Sequence, residues 1–163
     1  MSKKIALGGV LLAINIIILM LINIIPINTL FLMGIASLLI SIIIMEFGPK
    51  MGVAFYLGVF ILSFFVMANK FQWILYIFTF GVYGLFKYII EQDRSVYIEY
   101  IFKLIFANIA IGIVFFMIKE FIYIPINIFT IIFFEVAFLV YDHVYSLFIE
   151  YYNNKLKKIL KKI

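Results

Sequence analysis

Two carboxylates in the last apolar stretch of the chain are the first candidates for chemistry. Glu135 lies about nine residues into that stretch, roughly 13 Å deep at about 1.5 Å per residue. Asp142 follows seven residues later on the same helical face, and Ser146 extends that face. A carboxylate at this depth must avoid lipid. The polar face therefore predicts either a ligand or ion contact toward the interior, or carboxyl groups that stay protonated or bond to a neighbouring helix.

Enzymatic and metal chemistry find little support in the remaining residues. The single histidine, His143, adjoins Asp142 but points about 100° away on a helix, so an acid and histidine pair is not favoured. The absence of cysteine excludes a thiol nucleophile, a disulfide and a thiolate metal site. Neither a Ser, His and Asp set nor a glycine-rich phosphate loop is present. We therefore predict no enzyme, no catalytic residue, no metal and no cofactor.

Aromatic and amide residues gather near one end of several apolar stretches. They are Asn23, Asn28, Thr29, Gln72, Trp73, Tyr76, Thr79, Tyr123, Asn127 and Thr130. Aromatic faces with a few amides suit a small planar ligand in a concave, mostly apolar site. The same residues also form an ordinary aromatic belt at a membrane interface, and both interpretations stay open.

Three small residues lie at spacings of three and four in the first stretch. Ala6, Gly9 and Ala13 therefore share one helical face. Small residues let a second helix approach closely, which matters because lipid gives little hydrophobic drive for helix association. The pattern indicates either packing inside the molecule or a docking face for a separate membrane protein.

These residues must be positioned by helices that span a membrane. Of the 163 residues, 67% are hydrophobic and only 13% are charged, which excludes a water-exposed globule. The apolar runs are too long for barrel strands. We expect an all-α, six-transmembrane-helix bundle forming a single membrane domain over 1–163. The expected spans are 5–25, 29–45, 51–67, 71–90, 101–118 and 126–148.

The distribution of positive charge predicts the orientation of the bundle. With six spans and both termini cytoplasmic, only Lys70 and Lys119 of the 13 Lys and Arg residues fall outside, which is a strong positive-inside pattern. The basic residues sit at segment ends, so their expected partner is the lipid bilayer and no nucleic acid. Leu156, Ile159, Leu160 and Ile163 alternate with lysines, so the tail 149–163 is predicted to be an amphipathic helix on the inner leaflet. The expected location is the plasma membrane.

The size, the topology and two local motifs resemble the substrate-binding S components of energy-coupling factor transporters. The opening Lys4-Ile5-Ala6-Leu7-Gly8-Gly9-Val10-Leu11-Leu12-Ala13 is similar to the first helix of that family, with Gly9 and Ala13 in the places of its Ala-x-x-x-Ala motif. The segment Glu46-Phe47-Gly48-Pro49-Lys50-Met51-Gly52 is similar to the turn between the second and third helices of the family. The chain lacks a recognisable vitamin signature.

The resemblance implies a function in micronutrient uptake. A small-molecule ligand of vitamin type would enter from outside and contact Trp73, Tyr76, Asn127 and Glu135. Ala6, Gly9 and Ala13 would dock on a coupling transmembrane subunit, and two ATPase subunits would drive release inside the cell. The chain has no Walker motif of its own, as expected for such a subunit.

Two other classes of membrane protein stay open. One is a non-catalytic scaffold or regulatory subunit similar to the rod-shape protein MreD, although a Pro-Asn and Asp pattern like that of its first loops is not seen here. The other is a small pump-associated or lipid-handling subunit, in which Glu135 and Asp142 would be the working residues.

Overall fold

The structure is a computed structural model that describes residues 2–92, 94–121 and 127–157. Six helices in these ranges are long and apolar enough to cross a membrane, and no strand is present there. The predicted all-α class with six spanning helices is therefore confirmed. The chain forms two compact units, Met1–Tyr123 and Ile124–Ile163, and each is described by itself.

The first unit contains five of the spans. They are α1 (Ser2–Ile24), α2 (Thr29–Phe47), α3 (Pro49–Val66), a fourth span that consists of α4 (Lys70–Leu75), a π-helical segment (Tyr76–Gly81) and α5 (Val82–Ile90), and α6 (Val96–Ile118). A short 3-10 turn, Pro26–Asn28, joins α1 to α2. Helix α6 begins at Val96, earlier than the expected residue 101, because the amides of Ile98 and Glu99 already donate to the Ser95 carbonyl.

Helix α2 forms the centre of the first unit and packs against α1, α3 and the fourth span. Its buried side chains include Met33, Ala36, Ile40 and Ile43. Ser37 is also buried and donates a hydrogen bond to the Gly34 carbonyl of its own helix at 2.5 Å. This local hydrogen bond satisfies the serine hydroxyl within a tight helix interface.

A glycine and a proline produce the tight turn between α2 and α3. Gly48 has a φ of 86°, a conformation that favours glycine, and its amide donates to the Ile44 carbonyl at 2.8 Å. Pro49 follows as the first residue of α3, where its missing N–H costs no hydrogen bond. The turn brings Gly52 so close to α2 that an added Cβ would lie 2.5 Å from Ile44 Cγ1.

The second unit contains the last span. Helix α7 (Ile128–Tyr151) continues into a π-helical turn, Tyr152–Leu156, so the helix extends beyond the expected end at residue 148. The predicted amphipathic tail is described only as far as residue 157. Lys158, Ile159, Leu160, Lys161, Lys162 and Ile163 lie outside the described residues.

Candidate functional site

The three small residues of the first span lie on an exposed face of α1. Ala6, Gly9 and Ala13 are all exposed, and a Cβ atom built on Gly9 would meet no neighbouring atom within 4 Å. Ile17, which is 56% exposed, continues the same side of the helix. We call Ala6, Gly9 and Ala13 the small-residue face. Packing inside the first unit does not use this face, so it is accessible to another transmembrane helix.

The opposite side of α1 carries a buried asparagine that joins three spans. Asn15 Nδ2 donates to the Ala36 carbonyl of α2 at 2.7 Å. The Tyr76 hydroxyl lies 3.3 Å from Asn15 Nδ2 and 3.4 Å from Asn15 Oδ1. Both Asn15 and Tyr76 are 1% exposed. Tyr76, predicted as a ligand contact, is therefore buried, and its hydroxyl is hydrogen-bonded to Asn15 of α1.

The second predicted aromatic contact, Trp73, is also held by a neighbouring helix. Its indole Nε1 donates to the Ser63 hydroxyl of α3 at 3.0 Å. The rings of Phe60 and Phe64 lie 5.2 and 5.1 Å from the indole ring, both tilted or edge-on to it. This arrangement is the favourable edge geometry of aromatic pairs and fixes the indole against α3.

The π-helical segment starts at Tyr76 and gives the fourth span its local shape. Tyr56 of α3 donates through its hydroxyl to the Ile77 carbonyl at 3.2 Å. Gly81 closes the segment, and a Cβ there would lie 3.2 Å from the Tyr76 carbonyl oxygen. Widened turns of this kind are rare and recur at functional sites. Sequence reasoning singled out neither Tyr56 nor the widened turn.

Side-chain amides organise the turn between α3 and the fourth span. Asn23 at the end of α1 donates to the Val66 carbonyl at 2.9 Å and accepts from the Ala68 amide at 3.1 Å. Asn69 caps α4 by accepting from the amides of Phe71 and Gln72. Asn23, which was predicted to lie in a ligand or belt cluster, therefore holds a turn in place.

A cluster of three ionic side chains links the end of the fourth span to α6. Glu91 Oε1 lies 2.6 Å from Lys87 Nζ and 2.5 Å from Lys103 Nζ. The Lys87 side chain is 1% exposed and that of Lys103 is 5% exposed. We call Lys87, Glu91 and Lys103 the ionic cluster. Sequence reasoning counted both lysines only as interfacial charge, although the i, i+4 spacing of Lys87 and Glu91 was a readable signal.

The other two predicted ligand contacts belong to the second unit. Asn127 caps α7, since its Oδ1 accepts from the Thr130 amide at 2.8 Å and from the Thr130 hydroxyl at 2.9 Å. Helix α7 places Glu135 and Asp142 on one face as predicted from their spacing. Ser146 donates to the backbone carbonyl of Asp142 at 3.1 Å. The described residues contain no group of three His, Asp or Glu side chains that could hold a metal ion.

The structure thus brings Trp73 and Tyr76 together on one span, and it gives Asn127 a capping role.

Comparisons of the chain with protein-family models, with curated proteins and with solved structures found no match. Function is therefore inferred from the contacts of the chain itself.

Proposed function

We propose that this chain is the substrate-binding membrane subunit of a micronutrient uptake transporter and that it docks on a coupling transmembrane subunit through the small-residue face of α1. The observation that carries the proposal is the exposure of Ala6, Gly9 and Ala13. Both termini would lie in the cytoplasm, as the distribution of lysines predicts. Two ATPase subunits joined through the coupling subunit would supply the energy.

The chain's own glycines show why the exposure of this face is informative. At Gly52 an added Cβ would lie 2.5 Å from Ile44 Cγ1, and at Gly58 it would lie 3.3 Å from Leu12 Cδ2. These glycines are used for close packing inside the first unit. An added Cβ at Gly9 would meet no atom within 4 Å, as at Gly112, but Gly9 shares its exposed face with two alanines. Since close van der Waals packing drives helix association in lipid, this face suits a partner helix.

The ligand would be a small, mostly planar molecule that reaches the fourth span from outside. Trp73 on the fourth span is partly exposed and would offer the aromatic contact, whereas Tyr76 one helical turn later is buried. Asn127 and Glu135, which the resemblance also implies as ligand contacts, belong to the second unit. An apolar site with a few polar groups is typical of small-molecule binding.

The test compares Gly9→Leu with Gly112→Leu. Gly112 lies in α6 and, like Gly9, has no neighbouring atom within 4 Å of an added Cβ, so it is a matched control. The tagged protein is extracted from cells in mild detergent, and mass spectrometry identifies the subunits and small molecules that remain bound. We expect Gly9→Leu to lose the coupling subunit and the ATPases while it keeps the small molecule, and Gly112→Leu to resemble the wild type.

A different result would overturn the proposal. If Gly9→Leu retains the same subunits as the wild type, the small-residue face is not a docking face. If the wild type carries no small molecule, the substrate-binding role fails even though docking stands.

One observation favours a second candidate, a non-catalytic membrane scaffold or regulatory subunit. The polar atoms of Trp73 and Tyr76 are already bound to Ser63 and Asn15 of neighbouring helices. A scaffold needs rigid, satisfied helix contacts and an exposed docking face but no ligand. Recovery of other membrane proteins with no small molecule and no ATPase would favour this candidate.

A further inference from the structure

The widened turn Tyr76–Gly81 sets how the two halves of the fourth span are rotated about the helix axis. A π-helical turn closes its backbone hydrogen bonds over one residue more than an α-helical turn. One residue corresponds to about 100° of rotation on an α-helix. Helix α4 is therefore turned by about 100° relative to α5, compared with an uninterrupted α-helix over Lys70–Ile90.

Neighbouring helices hold both halves in this arrangement. On α4, the Trp73 indole donates to the Ser63 hydroxyl of α3 at 3.0 Å. On α5, the Tyr83 ring is fully buried, and its centroid lies 5.5 Å from that of the Phe106 ring of α6. The ionic cluster also ties the end of α5 to α6. In a regular α-helix with α5 in the same place, the indole would point away from Ser63, so the widened turn allows both sets of contacts to form.

Two side-chain hydroxyls bind carbonyl groups of the widened turn and of the residue before it. Thr79 donates to the Leu75 carbonyl at 2.5 Å, and Tyr56 donates to the Ile77 carbonyl at 3.2 Å. Such bonds matter within a membrane, where backbone groups freed by an irregular turn must be satisfied by protein groups. Thr79 belongs to the fourth span itself, whereas Tyr56 comes from α3. The Tyr56 hydroxyl therefore ties the widened turn to the same helix that binds the Trp73 indole.

The absence of a side chain at Gly81 lets two tyrosines close around the end of the widened turn. An added Cβ would lie 3.2 Å from the Tyr76 carbonyl oxygen, 3.4 Å from Tyr76 Cε1 and 3.5 Å from Tyr56 Cε2. Tyr56 therefore approaches the widened turn with its ring as well as with its hydroxyl. The substitution Tyr56→Phe removes the hydrogen bond and keeps the ring.

We propose that Tyr56 is a positioning residue for the ligand site. Its hydroxyl holds the fourth span in the widened form and thereby orients Trp73, the partly exposed aromatic ligand contact, toward α3. The inference rests on the proposed function, because only there is Trp73 a ligand contact. Tyr56 acts through the backbone of the fourth span and does not have to touch the ligand.

The test reads the indole hydrogen bond directly and needs neither the ligand nor a partner. Trp73 is the single tryptophan of the chain, and ultraviolet resonance Raman spectra contain an indole band whose frequency depends on hydrogen bonding of the N–H group. Ser63→Ala removes the acceptor and gives the band position of an indole without this bond. We expect the band of the full-length Tyr56→Phe protein in detergent to move to the Ser63→Ala position, because the span relaxes to a regular α-helix and turns the indole away from α3.

Tyr97→Phe is the matched control, since it loses the same hydroxyl from a side chain that is 84% exposed. Its band should stay at the wild-type position. Far-ultraviolet circular dichroism verifies that each variant is folded. A folded Tyr56→Phe protein with the wild-type band, or an equal shift in the Tyr97→Phe protein, would overturn the proposal.

Gly81→Ala tests the widened turn while the Tyr56 hydroxyl stays in place. The added methyl group presses on the Tyr76 carbonyl oxygen, and alanine favours a regular α-helix, so the band should shift here too. An unshifted band in a folded Gly81→Ala protein would show that the widened turn does not orient Trp73.

These results are independent of the co-purification experiment. If the Raman band does not respond, Tyr56 has no positioning role while the proposed uptake function stands. If no small molecule co-purifies, the uptake function fails although Tyr56 still positions the indole.

Discussion

Polar side chains within the spans are expensive unless a neighbour satisfies them, because lipid offers no hydrogen bonds. In the described parts of the chain, every buried side-chain nitrogen and oxygen has a hydrogen-bond partner. Asn15 illustrates how this is done, since one amide group binds a backbone carbonyl of α2 and a hydroxyl of the fourth span. Individual polar residues thus connect helices that are far apart in sequence.

The ionic cluster gives the residue-scale prediction. Glu91 contacts two lysines that are almost fully buried, so Glu91→Gln would leave two positive charges close together without this carboxylate. We expect the free energy of unfolding to fall by about 2 kcal/mol, as for a lost hydrogen bond between charged groups. Unfolding of the purified protein by a denaturing detergent, followed by circular dichroism, measures the change.

Glu120→Gln is the matched control for this substitution. Glu120 lies 3.7 Å from Lys119, and its side chain is 76% exposed. An exposed pair of this kind contributes little, so the control should unfold like the wild type. Equal stability of the Glu91→Gln protein and the control would show that the ionic cluster does not hold the fourth span to α6.

At the scale of elements, run length and turn residues made the spans predictable. The apolar runs are longer than a membrane-spanning barrel strand, which indicated helices. Gly48 with Pro49 indicated the turn between α2 and α3. The start of α6 at Val96 was not predicted, because Glu99 interrupts the apolar run although the amides of Ile98 and Glu99 already donate to the Ser95 carbonyl. The π-helical segment was also missed. The Tyr56 hydroxyl, which donates to the Ile77 carbonyl of this segment, lies 21 positions away in the sequence.

The candidate site was less predictable than the fold for a related reason. Residue type showed that Trp73 and Tyr76 were unusual, but their partners Ser63 and Asn15 come from other helices. Sequence spacing describes neighbours on one helix and gives no information on which side chain faces another helix. The exposure of the small-residue face likewise required the packing of α1 against α2 and α3 to be known.

The close approach of α2 and α3 at Gly52 gives a stability prediction at the scale of helices. In Gly52→Ala the new methyl group would lie 2.5 Å from Ile44 Cγ1, so the Ile44 side chain or one of the two helices must shift. Overpacking of this kind costs about 1 to 3 kcal/mol. Thermal unfolding in detergent should therefore occur at a lower temperature than in the wild type.

Gly112→Ala makes the same chemical change where an added Cβ has no neighbour. Because alanine favours a helix over glycine by about 1 kcal/mol, this control should unfold at an unchanged or higher temperature. If both alanine variants behave alike, close packing at Gly52 is not a source of stability.

At the scale of the whole molecule, the six long apolar helices among the described residues make this a multi-pass membrane protein. The charge asymmetry predicts that the turn between α3 and α4 lies outside and that the turn before α6 lies inside. Because the chain has no cysteine, Ala68→Cys and Ser95→Cys each provide one accessible thiol at an exposed position. A membrane-impermeant maleimide should label Ala68→Cys in intact cells and Ser95→Cys only after permeabilisation. The reverse pattern would invert the orientation and place the predicted ligand contacts toward the cytoplasm.

The two hydrogen bonds from Asn23 to the backbone around Val66 and Ala68 have a mechanical meaning. They tie the C-terminal end of α1 to the turn between α3 and α4, so either end can separate from the other only if both bonds break. If the chain takes up a nutrient as proposed, entry at this end of the first unit would require these bonds to open or the molecule to pass beside them.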